Sequence, residues 1–153
     1  MSDLFTLDAA AVSTARAESK RDVLAKLARI CAQVYGLEDA VVLERIEERE
    51  ALGSTGFGRG VAIPHARVAG LAHPVAGFLQ LDAPVEFDAA DGMPVNLVFM
   101  LLSPEQGGAA HLQALAAISR MMRDERMRTN LASATGREEI YGLLSNVIDR
   151  DAA

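Results

Sequence analysis

At 153 residues, 50% hydrophobic and 24% charged, the chain has the length and balance of one folded globular domain, which excludes a disordered or fibrous protein. Its net charge of −6 argues against a general nucleic-acid binder, which needs a concentrated basic face to displace counterions from phosphates. No run approaches the roughly 20 apolar residues that span a bilayer. Met1-Ser2-Asp3 has neither the basic nor the apolar region of a signal peptide, so the expectation is a cytoplasmic protein, not membrane-embedded.

The first 18 residues carry a weak signal, in which Leu4, Phe5 and Leu7 allow a short strand or a docked arm. A helix is predicted from Ser19, where Ser19 and Asp22 form a capping-box pattern and Val23, Leu24, Leu27, Ile30, Cys31 and Val34 recur at helical spacing up to Gly36. The single cysteine, Cys31, is expected to be inert core. A second helix is predicted over about 38 to 50, with Val42 and Ile46 on its buried stripe, ending at the glycine-rich run 53 to 60. Strands are expected at 61 to 63, 75 to 81 and 95 to 102; the last is almost unbroken in its apolar residues and reads as a central strand covered on both faces. Pro64 has no N–H for a ladder, so the strand entering it must end there or lie at an edge. Three helices follow, at about 109 to 123, 124 to 133 and 137 to 147. Helices, then strands, then helices predict a single α/β domain over 1–153, a mixed β-sheet flanked by helices.

Three residues interrupt patterns that would otherwise be pure packing. Arg49 falls three residues after Ile46 and seven after Val42, on the apolar stripe; it can hold an anion there, or reach water or pair with Glu48 or Glu50. His111 stands in the first turn of a helix, in phase with Leu115, Ile118 and Met122. It can help hold an anion at the helix start, or satisfy only its own hydrogen bonds. His65 follows Val61-Ala62-Ile63 in phase with Val61 and Ile63, stiffened by Pro64. Neutral imidazole is a good nucleophile near pH 7, and a hydrogen bond at one ring nitrogen leaves the other free to attack; lone histidines beside strands are also common. His73 reads as surface.

The glycine run is not a nucleotide-binding motif. It lacks G-K-[ST], its glycines do not make G-x-G-x-x-G, and it follows a helix rather than a strand. Its backbone is expected to turn sharply or pass close to something, and Ser54 and Thr55 can give hydroxyls to a phosphate or simply form the turn. No tight metal-ligand spacing occurs, so no metal or other cofactor is expected.

The stretch 49 to 67, containing Gly53-Ser54-Thr55-Gly56 and Ile63-Pro64-His65, resembles the signature of EIIA domains of the phosphotransferase system, of the nitrogen-regulatory and fructose/mannitol class. The likeness continues through Pro84 to Asp88, Pro94 to Phe99 and Ala110-His111-Leu112, covering about 19–148. The resemblance implies a histidine phosphotransferase component: His65 as phosphorylated nucleophile, His111 as hydrogen-bond partner of the phosphoryl group, and Arg49 as cationic stabiliser. It implies an HPr-like phosphohistidine donor, or its nitrogen-branch relative. The recipients would be either regulated protein partners, as in the nitrogen type, or an EIIB domain, as in sugar transport; a binding domain of the same fold that is not phosphorylated is the remaining alternative. The wording of 52 to 56 resembles the nitrogen type more. Ala66, where the family often has glycine, is a mild departure.

Overall fold

The computed structural model describes residues 4–152; Met1, Ser2 and Asp3, on which the signal-peptide expectation rests, and Ala153 lie outside the described residues. Six strands, β1 (Thr6–Ala15), β2 (Gly56–Gly58), β3 (Val61–Ala62), β4 (His65–Val68), β5 (Val75–Val85) and β6 (Val95–Pro104), form one mixed sheet. Its order is β1-β5-β6-β3-β2, with β4 also on β6. Helices α1 (Lys20–Tyr35) and α2 (Asp39–Ala51) cover one face, and α3 (Gly108–Arg123), α4 (Glu125–Ser133) and α5 (Arg137–Ala152) the other.

The caps follow from the sequence. Ser19 Oγ accepts the Asp22 N–H, and Gly36 closes α1 at φ 70, a left-handed turn that costs glycine little. The reciprocal half of the capping box is displaced by one residue, because the Asp22 carboxylate accepts from the Glu18 N–H. Cys31 is fully buried, and burial pushes its thiol up to about 12, as an inert core group requires.

β6 is the central strand, paired antiparallel to β5 on one side and parallel to β3 and β4 on the other. Val61 pairs with Leu97, Ala62 with Val98 and His65 with Leu101, a constant offset. β3 and β4 are therefore one strand in one register, interrupted at Ile63-Pro64 where proline has no N–H to give. The open question over the first 18 residues resolves as a ten-residue parallel strand. Its register slips between Leu7 and Val12, and the Tyr35 hydroxyl bridges the irregularity, donating to Ala76 O at 2.7 Å and accepting from the Asp8 N–H at 2.9 Å.

The glycine run forms a β-hairpin, a finer outcome than the expected turn. Its two central residues, Arg59 and Gly60, have φ 59 and 83, the pattern whose twist matches paired strands. A Cβ on Gly60 would lie 2.8 Å from Asn96 Oδ1, so any other residue here would have to displace that side chain as well as hold a left-handed φ of 83.

Candidate functional site

The site follows from how the chain passes Pro64. The carbonyls of Gly60 and Pro64 accept from the Leu97 and Leu101 N–H groups, so Ile63 between them turns its own N–H and C=O away from β6. The Ile63 N–H goes to Thr55 O at 3.0 Å, and its carbonyl meets the His65 ring, with Nδ1 at 2.7 Å. A carbonyl can only accept, so Nδ1 carries the proton and Nε2 keeps its lone pair. His65 is half-buried. Burial pushes its pKa below the usual value, the Arg49 charge adds to this, and the Ile63 bond and Glu50 oppose it.

Among the described residues β4 pairs with β6 alone, so the helices of both layers reach its free edge. From α3 comes His111, 6% exposed, its ring centroid 5.6 Å from that of His65 and its Nδ1 2.7 Å from Ser103 Oγ. Burial, then the charges of His65 and Arg67, push His111 down to about 4, so it is neutral at pH 7. From α2 comes Arg49, half-buried as its stripe position requires, with Nη1 donating to Gly53 O at 2.9 Å. Neither glutamate beside it is its partner: Glu48 pairs with Arg45 and Glu50 with Lys20. Arg45, Glu48, Arg49, Leu52, Arg67 and the two histidines line one open depression of about 380 Å³. Three guanidiniums against one carboxylate make it locally basic on an acidic chain, and it presents an unprotonated imidazole nitrogen to whatever anion enters.

Ser54 and Thr55 are placed otherwise. Ser54 Oγ donates to Phe87 O at 2.6 Å and accepts from the Gly56 N–H, while the Thr55 hydroxyl donates to Glu50. Neither is among the residues that line the depression, and both hydroxyls are bonded within the turn and its neighbours. His73 is half-exposed in the loop before β5. Among the described residues no group of three or more His, Cys, Asp or Glu is arranged to hold a metal ion.

Sequence reasoning missed three residues here. Glu50 is 8% exposed, held by Lys20 Nζ at 2.9 Å and by the Thr55 N–H and hydroxyl, and so locks the end of α2 to the loop behind Arg49. Within a run of six charged residues out of seven, Glu44 to Glu50, nothing marks it as buried. Arg67 joins His65 on one face of β4 by the two-residue alternation of strands, a signal that was available once β4 was recognised. Ser103 reads in sequence only as the end of an apolar run.

The model of the phosphoenolpyruvate-dependent sugar phosphotransferase system EIIA 2 family matches residues 4–147, and the chain belongs to this family. It is 44% identical over 130 residues to the nitrogen regulatory protein of Pseudomonas aeruginosa, covering 84% of each chain. It is 36% identical over 107 residues to the fructose-specific EIIA component of Haloferax volcanii, covering 70% of each. The crystal structure of the nitrogen regulatory protein IIA-Ntr from Neisseria meningitidis superposes with a TM-score of 0.83 at 35% identity, over 90% of this chain and 95% of that one. The family and the fold expected from the sequence are thereby found. No helix among the described residues is long and apolar enough to cross a membrane.

Proposed function

We propose that the chain is a phosphoryl carrier that takes phosphate onto His65 Nε2 from an HPr-like phosphohistidine protein, or its nitrogen-branch relative, and acts mainly as a phosphorylation-dependent regulator. The observation that carries this is the Ile63 carbonyl on His65 Nδ1, which leaves Nε2 as a neutral nucleophile in a depression rimmed by Arg45, Arg49 and Arg67. In the transfer the donor's P–N bond breaks as a P–N bond to Nε2 forms. The Nδ1 proton stays on the ring against the carbonyl, so in the reverse step the ring departs as neutral imidazole. Such transfer passes through a loose transition state and needs mainly positioning and charge stabilisation. Arg49 faces the growing negative charge and His111 offers a hydrogen bond to it.

The nitrogen-regulatory branch is favoured because the Pseudomonas relative is more identical over a longer stretch than the Haloferax one. The second reading, a sugar-transport EIIA handing phosphate to an EIIB domain, is supported by that fructose-specific relative. A hydrolase with His65 as general base is disfavoured, since its Nδ1 meets a backbone carbonyl where such a base is usually oriented by a carboxylate. The test is intact mass after incubation with phosphoenolpyruvate, enzyme I and each carrier in turn, for wild type and His65→Ala. An acid-labile gain of one phosphate in wild type alone is expected; no gain with either carrier sinks the proposal.

A further inference from the structure

The two histidines meet oxygens of different kinds, and this decides where their protons sit. Paired residues of parallel strands share a face, so β6 directs Leu101 and Ser103 to the side that His65 and Arg67 occupy. Ser103 is fully buried there, and His111 reaches it from α3. Against His65 stands a carbonyl, which only accepts. Against His111 stands a hydroxyl, which has one proton to place and lone pairs to spare.

Among the described residues His111 Nδ1 is the sole hydrogen-bond partner of the Ser103 hydroxyl, and no buried side-chain polar atom lacks a partner. Were Nδ1 the donor, the serine proton would be buried with no acceptor, the arrangement that folded proteins avoid. With the hydroxyl donating, both atoms are satisfied and the neutral ring carries its proton on Nε2. Nδ1 being turned to Ser103, Nε2 is the nitrogen left for the depression that both histidines line.

We propose that Ser103 is a positioning residue whose buried hydroxyl holds His111 in the Nε2–H form, so that the ring facing His65 is a hydrogen-bond donor to an incoming phosphoryl group. The site then pairs opposite tautomers: His65 offers a bare Nε2 to attack, and His111 a protonated Nε2 to hold the phosphoryl oxygens. His111 exchanges no proton in the transfer and only strengthens a hydrogen bond. The role in transfer rests on the carrier reading above; the tautomer does not.

The experiment is a long-range proton–nitrogen NMR spectrum of the unphosphorylated, nitrogen-15-labelled protein near pH 7.5, with His111 assigned by a His111→Gln variant. It is followed by the rate of phosphate acceptance. Wild type is expected to show His111 protonated at Nε2 and bare at Nδ1. Ser103→Ala is expected to shift those nitrogens toward a tautomer mixture and to slow acceptance on the order of 10-fold, as loss of an orienting partner does elsewhere. Ser103→Thr, which keeps the hydroxyl, should restore both. A wild-type His111 protonated at Nδ1 overturns the proposal without recourse to any variant, as does a Ser103→Ala protein with unchanged tautomer and rate. The spectrum is recorded without phosphate, so failure of the carrier reading and failure of this one are separate results.

Discussion

Gly77 lies on β5 beneath α1, and a Cβ added there would fall 2.4 Å from Cys31 Sγ and 3.3 Å from both Leu27 Cδ1 and Ala11 O. Reaching 3.0 Å, the closest that such atoms approach, requires a movement of 3.0 − 2.4 = 0.6 Å in a fully buried contact. Overpacking of this kind costs about 1–3 kcal/mol, and the reduced freedom of alanine in the unfolded chain returns ~0.4–1, so Gly77→Ala should destabilise by roughly 1–2 kcal/mol. Cys31→Ala removes the atom in the way at its own small cavity cost, and in that background the new methyl group should be nearly neutral. Urea unfolding of the two single variants, the double variant and wild type closes the cycle, with an expected coupling of about 1–2 kcal/mol in favour of the pair. If Gly77→Ala costs the same with and without the sulfur, to within about 0.5 kcal/mol, α1 does not seat on β5 as described and the reasoning fails.

Two further outcomes follow from the buried polar groups. The folded pKa of His111 is depressed from 6.5 to about 4, so its stability contribution is fully present above pH 6.5 and is lost as pH falls through about 4. Urea midpoints should show roughly 2–3 kcal/mol of acid destabilisation in that window that His111→Gln lacks; parallel pH profiles for the two proteins would count against the burial of a neutral ring. Glu50→Ala should cost roughly 2–4 kcal/mol, since it strips a buried carboxylate from Lys20 and from the Thr55 N–H and hydroxyl. A change below about 0.5 kcal/mol would mark that cluster as solvated and not structural.

What the sequence made legible was periodic or punctuated. Ser19, Gly36 and the apolar run of β6 act locally, and their outcomes matched to within a residue or two. His65, His111 and Arg49 stood out because each broke an apolar stripe, and the structure brings all three to one depression. β1 was hidden by its own irregularity: between Leu7 and Val12 its alternation slips against β5, so no two-residue period survives in the alanine-rich stretch. β2 and β4 are three and four residues long and are masked by glycine and proline, which punctuate the chain in sequence while sustaining the register in space. Glu50 was illegible for a different reason. Its partners lie thirty residues upstream and five downstream, and only the closed fold brings Lys20 and Thr55 together around it. Ser54 and Thr55 were legible as turn formers, and their hydroxyls are bonded there.

Because β3 and β4 are one strand in one register against β6, the His65 ring is fastened to the central strand of the sheet with Pro64 as the rivet. A lid or a mobile loop lets a site mould itself to each visitor in turn, and a ring set on the central pairing of a sheet has little such freedom. In the proposed carrier role, whatever delivers phosphate and whatever removes or reads it must therefore come to the same stationary point. They come one at a time and exclude one another. The traffic between partners is then scheduled by occupancy of a single berth, and a protein that merely rests on this face without exchanging phosphate would still hold up every other transaction.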